Sequence, residues 1–524
     1  MNYRKIHIKI LLIFVSFCSI AIACTDLDEE VFSQVTVDNF FQTEEELVAA
    51  IGSVYSNLYG YMNNDHVYSL QETSSDELVV PTRGNGWNEN GTWRRLHTHE
   101  WTPDNPRVNS CWNFCYQGVN AANRLIFQFE QIGTEAADAT IAELKVFRAM
   151  YYYWLLDLYG NVPIVTRFAD AEPNPTNNTR QEVYDFVISE ITDNVDKLSK
   201  EVDPTTYGRV NYYTGQAVLA KVYMNAGVYT GATQWEKALA AIREITGSGK
   251  YSLATSYFDN FNADNENSPE FIFAIPFDEV FAKGFVMGAM GLHFGLQDVY
   301  DLAYQPWNGW AAVGEFYDTY EENDKRRGIP SDPNIRGNFI SGPQFKRNGD
   351  PVIDNAYEVE NPDDPEQIFD PDGPELNLTV HPNGDGLFFL RQDGARIAKY
   401  EFEQGGQIDM NNDFPIFRLT DFVLLEAEAL LRLGQETGTA LMLVNQIRER
   451  AGVNPFTALT EESLLAERGR ELFAEAIRRQ DLIRFGVFND AWWEKDPSPA
   501  FRNLYPIPRA QLDANPNLTQ NPGY

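Results

Sequence analysis

Apolar residues recur at helical spacing over much of this chain. Ile141, Leu144, Phe147, Tyr151, Leu155 and Leu158 share one helical face, and Thr140-x-x-Glu143 reads as the capping box that opens it. Gly160 and Pro163 stop that run. Further helices are predicted near Gln181–Leu198, Tyr212–Asn225 and Trp235–Ile245. The last two read as a hairpin in which Ala217, Ala220, Ala238 and Ala241 permit close approach. The pattern resumes at Asp421–Leu433, Thr439–Ala451 and Glu461–Arg479, and an earlier pair covers Glu44–Tyr59 and about Val108–Gln131. About eight helices in four pairs have the look of tetratricopeptide-type units, with a period too irregular for a regular solenoid.

Two stretches break this pattern. Asn63–Asn105 is rich in Gly, Asn, Thr and Trp. Tyr251–Asp413 is rich in Pro, Gly, Asp and Asn, with strand-like pieces at Glu270–Pro276 and Gly386–Arg391. The expected fold is mainly α. A tetratricopeptide-like helical frame at about 30–250 and 414–524 carries an irregular, loop-rich subdomain with short strands at about 251–413. Long ordered loops on a rigid frame are where binding concentrates.

The amino terminus predicts an export leader. Arg4, Lys5 and Lys9 precede an apolar run from Ile10 to Ala23, too short to span a membrane and right for a signal peptide over residues 1–23. It ends Ala21-Ile22-Ala23-Cys24, small residues before a cysteine, as a lipoprotein signal peptidase requires. Ala21 stands where Leu is usual. Cys24 is the expected lipidation site, so residues 24–524 would be anchored to a membrane rather than span it. The acidic run Asp26 to Glu30 resembles the signal that sends lipoproteins to the outer face of the outer membrane in Bacteroidota. A plain secretory signal with an incidental cysteine is the alternative.

Charge narrows the partners. The net charge is −35 over 524 residues, and removing the three basic residues of the leader makes it −38. Nucleic acid would be repelled, and so would an anionic bilayer without a covalent anchor. A neutral ligand would be indifferent. Hydrophobic content of 43% supports a sizeable core, and the 13% aromatic content can serve either core or binding face. Cys111 and Cys115 lie four apart in a helical stretch, a spacing that seldom fits disulfide geometry, and are expected as buried thiols.

Several features invite a chemical reading. Glu467, Glu471 and Glu475 share a helical face near Arg468 and Arg478. Glycoside hydrolysis needs two carboxyls across a cleft, one kept neutral. Carboxylates one turn apart among arginines stay ionised, so this pattern reads as an ion-pair network. Glu89 with Asp301 is the best hydrolase pair the loops offer. His97-x-His99 lacks a third metal ligand. Asp259, Asn262, Asp264, Asn265 and Glu266 suit calcium by chemistry but lack the glycine of a tight calcium loop. Neither a phosphate loop nor a nucleophile elbow is present, so no cofactor is expected.

The motifs resemble one family. Phe147-Arg148-Ala149, Tyr153 and Leu158-Tyr159-Gly160-Asn161-Val162-Pro163 are similar to the FLRAYAYFDLVRLYGDVP segment of SusD/RagB proteins. Glu467-Arg468, Glu471-Leu472, Glu475, Arg478, Asp481-Leu482 and Arg484 resemble the family's late helix. Leu504-Tyr505-Pro506-Ile507-Pro508, Asn515-Pro516, Leu518 and Gln520 to Tyr524 resemble its carboxyl-terminal ending. Ala476 departs from a usual glycine, Arg479-Gln480 from an aromatic pair, and Gln511 from an acid. The resemblance implies a frame of four tetratricopeptide-like helix pairs plus an irregular second subdomain. It implies a lid on a SusC-like TonB-dependent outer-membrane transporter. Most family members with a known role bind glycans, and some bind peptides.

The candidate ligand residues are loop aromatics. Trp87 and Trp93 lie in the polar run Arg83 to Trp93, and Tyr304, Trp307 and Trp310 lie in Tyr304-Gln305-Pro306-Trp307-Asn308-Gly309-Trp310. Neither run has a clear apolar period, so these rings are expected to stack on the C–H faces of sugar rings. Arg83, Asn88, Asn308 and Asp76 are candidates for the sugar hydroxyls. Two indole faces hiding roughly 80 Å² each give about 4 kcal/mol, a dissociation constant near 1 mM before polar contacts. That suits weak capture of a long polymer without catalysis. The resemblance places known sugar sites of the family in aromatic arcs from these two regions. The sequence favours a neutral glucan, of the laminarin type first and an α-glucan next. A peptide-binding or purely structural lid, and then a hydrolase, are the alternatives.

Overall fold

Several long helices open on a side chain that satisfies a free amide group. The computed structural model describes residues 44–83, 86–332, 334–354, 356–357, 368–369, 375–381 and 388–524. The expected leader and Cys24 lie outside them. Ten helices form the frame: α1 (Glu44–Tyr55), α2 (Pro106–Glu130), α3 (Glu135–Leu158), α4 (Arg180–Thr192), α5 (Tyr212–Met224), α6 (Trp235–Thr246), α7 (Leu419–Leu433), α8 (Thr437–Ala451), α9 (Glu461–Leu472) and α10 (Arg478–Arg484). Asn105 caps α2, with Pro106 in its first turn. Capping boxes open α4 at Thr179, α5 at Asn211 and α9 at Thr460. α3 starts before the expected Thr140, because Thr134 accepts from the Ala137 amide and caps it there.

Neighbouring helices pack in sequence: α2 on α3, α3 on α4, α5 on α6, α6 on α7, and α7 on α8. Small residues set the spacing. At Gly118 of α2 a β-carbon would collide with the ring of Tyr151 on α3. The frame is mainly α, as expected, and short two-residue strands punctuate the loops. One hydrophobic core runs through frame and loops together. Cys111 and Cys115 are buried free thiols, as expected. Among the described residues no helix is long and apolar enough to cross a membrane.

The loop-rich middle leaves and rejoins the frame through one strand pair. β1 (Phe271–Ile275) runs antiparallel to β2 (Phe414–Arg418), with Ile275 opposite Phe414 and Phe271 opposite Arg418. Both strands are buried throughout. Arg418 sits at this neck and donates to Glu270 at 3.0 Å, Glu471 at 3.1 Å and Glu475 at 2.6 Å. Arg450 of α8 adds a second guanidinium to Glu270 and Glu471. Arg326 and Lys399, from the loops, reach Glu467, Glu471 and Glu475. The carboxylates of α9 therefore form the expected ion-pair network. Paired guanidiniums hold Glu270 and Glu467 down to about 2 despite burial.

The expected single helix Glu461–Arg479 is two helices. The turn between α9 and α10 holds Ala474 and Ala476 at φ of 59° and 60°. Buried carboxylates cause this break. Glu77 accepts the Ala474 amide at 3.3 Å and Glu72 accepts that of Ala476, drawing these donors away from a continued helix. The stretch 63–105, expected to lack helices, holds two short ones at Val67–Glu72 and Thr92–His97. The first of these carries Glu72. Besides Ala476, the departures from the family pattern at Arg479-Gln480 and Gln511 also have partners. Arg479 reaches Asp157 at 2.9 Å, Gln480 accepts from Tyr153 at 2.8 Å, and Gln511 bonds Asn109 and Asn113.

Two predictions follow from the turn. A left-handed Ala is strained where Gly is not, so Ala476→Gly should raise unfolding stability by up to about 1 kcal/mol, read by denaturant titration. Burial is the main cause that pushes the Glu72 carboxyl up to about 8 from 4.5. Its stabilising contribution is full below about 4.5 and is lost as pH rises through about 8. Glu72→Gln should therefore flatten the fall in thermal midpoint between about pH 5 and pH 8, whatever its effect on the absolute value.

Candidate functional site

Two loops from opposite parts of the sequence meet at one surface. Leu78–Val79 pairs antiparallel with Ala311–Ala312, and Thr82–Arg83 pairs in parallel with Phe388–Phe389. This pairing brings Trp87 and Trp93 beside Trp307 and Trp310. The four indoles then form a column. Trp307 lies 6.4 Å from Trp87, Trp87 lies 5.9 Å from Trp93, and Trp93 lies 6.0 Å from Trp310. Trp310 stacks on buried Tyr68 at 5.5 Å. Exposure falls inwards, from 39% at Trp307 through half-buried Trp87 to 1% at Trp93 and 0% at Trp310.

The expectation that all four tryptophans stand open is corrected for two of them. Trp93 and Trp310 are core residues. Arg107 covers Trp93 at 4.6 Å and is ion-paired with Asp65 and Glu89. The indole of Trp310 donates to Asn64 at 3.0 Å. Both rings back the surface pair instead of joining it. The sequence hid this because both loops lack a periodic apolar pattern, yet pack as densely as the frame.

Backbone geometry fixes the surface pair. Trp87 and Asn308 both adopt left-handed φ, 59° and 53°. The Trp87 indole donates to the Trp307 carbonyl at 2.9 Å. A β-carbon on Gly309 would lie 2.5 Å from the Trp87 ring, so only glycine lets the ring lie there. Amides of Trp307, Asn308, Gly309 and Trp310 all bond the segment Ala289–Leu292, which pins the loop from beneath. Tyr304 is half-buried, its hydroxyl against Gly288, and burial raises its pKa.

The expected polar contacts divide the same way. Asn88 is exposed and its side chain accepts from Gly91 at 3.2 Å. Asn308 is buried, donates to the Arg391 carbonyl at 3.1 Å and accepts from Arg396 at 2.8 Å. Arg83 is buried and donates to the Leu390 carbonyl at 2.8 Å. Asp76 receives both nitrogens of Arg478 at 2.7 and 2.8 Å. Arg83, Asn308 and Asp76 are thus committed to internal partners, a correction to their reading as sugar ligands. Side-chain partners this distant in sequence leave no local signal.

Other chemical readings find structural explanations. Glu89 is tied to Arg107, and Asp301 is an exposed helix C-cap at φ 51°. Neither has the apolar setting that keeps a general acid neutral. His97 bonds the Trp493 carbonyl at 2.8 Å, and burial lowers its pKa to about 4. His99 bridges Ser498 and the Ser74 carbonyl. No group of three metal-binding side chains occurs among the described residues. In the acidic loop, Asp259 caps the Ser256 amide and Asn265 bonds the carbonyls of Asn260 and Asp413.

A substitution at Gly309 tests the packing. Gly309→Ala should displace the Trp87 ring and change the near-ultraviolet circular dichroism of the indoles. Trp93→Ala should cost about 3–5 kcal/mol in denaturant unfolding, as a core residue does.

Comparison with known proteins places this geometry. A family described as "SusD family" matches residues 393–524, and one described as "Starch-binding associating with outer membrane" matches residues 27–224. The starch-binding protein SusD of Bacteroides thetaiotaomicron is 28% identical over 87% of this chain and 85% of its own length. A SusD superfamily protein from Parabacteroides distasonis superposes with a TM-score of 0.71 at 21% identity, covering 94% of this chain and 100% of that one. Surface glycan-binding protein A from Bacteroides thetaiotaomicron, in complex with laminarihexaose, superposes with a TM-score of 0.69 at 22% identity, covering 91% and 99%. With both ends of the chain matched, and this helical frame shared, the chain belongs to the SusD/RagB family.

Proposed function

We propose that this chain captures a neutral glycan at the cell surface and passes it to a SusC-like TonB-dependent transporter, making and breaking no bond. The observation that carries the reading is the exposed face of Trp307, held rigid by an indole column that ends in the core. A sugar ring presents an apolar C–H face to such a platform. Trp87 and Tyr304 extend the shelf, and exposed Asn88 is the polar group beside it. Rigid backing matters because a preorganised ring loses little freedom on binding.

Ligand choice follows charge and relatives. The net charge of −35 disfavours anionic polymers. A β-glucan of the laminarin type is the first choice, supported by the relative in complex with laminarihexaose. An α-glucan is second, supported by the starch-binding relative. Lipidation at Cys24 would hold the protein at the outer membrane, in keeping with the family description that names that membrane.

Calorimetry on the chain lacking residues 1–24, with laminarihexaose and maltohexaose, tests this. Wild type should bind one of them without releasing reducing ends. Trp307→Ala removes about 2 kcal/mol of stacking and should weaken binding about thirtyfold. Unchanged affinity in Trp307→Ala counts against the shelf. Release of reducing ends revives an enzyme, and binding of mixed peptides with no glycan bound favours a peptide carrier.

A further inference from the structure

Aromatic rings continue beneath the Trp307 loop. Tyr304 and Phe402 both lie against Gly288, the residue before the carbonyl that receives the Trp307 amide. Phe402 then meets Tyr300 edge to face at 5.4 Å. Beyond this pair opens a cavity of about 310 Å³, which Tyr300 and Phe402 line on one side. That volume is at the lower end of small-molecule sites.

Its polar lining is mixed and balanced. Arg336 and Arg347 face the cavity together with Asp332 and Glu401. Two positive and two negative groups cancel, so the lining favours a ligand with many hydrogen-bonding groups and no net charge. Rings for C–H faces beside planar polar side chains for hydroxyls fit a sugar.

Arg336 is held firmly in the cavity wall. One of its terminal nitrogens donates to the Lys399 carbonyl at 2.9 Å and to the Phe261 carbonyl, the other to Asn262. Its guanidinium lies over Phe258 at 4.9 Å. Its Nε is buried without a hydrogen-bond partner, and the Glu401 carboxylate stands off at 3.8 Å. Burial lowers its pKa to about 10. The side chain as a whole is 23% exposed and lines the cavity beside Arg347.

We propose that this cavity is a second sugar subsite, which receives an end or branch residue of the same neutral glycan chain that lies on the Trp307 shelf. The inference rests on the glycan reading for its ligand, but on separate residues for its site. Half-buried Tyr304 and buried Phe402 pack between the two.

Crystals of the chain soaked with hexaoses of β-1,3-, β-1,4- and α-1,4-linked glucose test it. Sugar density against Tyr300 and Phe402, within hydrogen-bond reach of Arg347 or Glu401, is the expected result. An empty cavity in every soak overturns the subsite, whether or not Trp307 is covered. A filled cavity beside a bare Trp307 supports the subsite and counts against the shelf alone. Asn334 and Arg347 both line the cavity, and in solution Asn334→Ala and Arg347→Ala should weaken binding of the hexaose that fills it about fivefold and leave its triose unchanged. Equal hexaose affinity in both variants and wild type would also overturn the subsite.

Discussion

Arg418 closes the neck between the helical frame and the loops. Its guanidinium is fully buried and meets three carboxylates, one from Glu270 just before β1 and two from the α9 region. Loss of one partner in such a cluster costs about 3–5 kcal/mol, because an unpaired charge would stay buried. Arg326 and Lys399 extend the cluster into the loops, and Arg448 and Arg450 extend it into α8. Charge pairing of this density specifies one arrangement of neck, late helices and loops. Everything the loops present is oriented from there.

The loops in turn carry the shelf, and their order is not incidental. Strand pairs join the early loop to the middle one at Leu78–Val79 and Thr82–Arg83. The indole column converts that junction into a rigid surface, with buried rings beneath and one open ring above. Left-handed backbone at Trp87 and Asn308 is tolerated because packing and hydrogen bonds surround both positions. Strain kept in place by such surroundings marks a surface that is held, not merely exposed.

Much of the frame was legible in the sequence. Apolar spacing located α2 to α8 to within a few residues, except that α4 ends at Thr192 and not at the expected Leu198, and the Glu467, Glu471 and Glu475 face read as an ion-pair network. Illegible features depended on distant partners. Glu72 and Glu77 break the late helix from almost the whole chain away, and no local pattern announces it. The site was half legible. Sequence composition identified the aromatic loops, but which ring faces outward is decided by pairing across more than 200 residues, as between Trp87 and Trp307. Three of the four polar candidates failed for the same reason. Arg83, Asn308 and Asp76 looked free only because Leu390, Arg391, Arg396 and Arg478 are remote in sequence. The cavity beside Phe402 had no sequence signal, since its lining is gathered from three separate segments.

Fluorine NMR on protein labelled with 5-fluorotryptophan reads the central claim most directly. The chain has ten tryptophans, and Trp307→Phe and Trp87→Phe assign the two that matter. On saturation with a bound glycan, the Trp307 and Trp87 signals should move while those of core residues Trp101, Trp112 and Trp154 hold still. Movement confined to other tryptophans, with Trp307 unchanged under bound glycan, would contradict capture on this shelf.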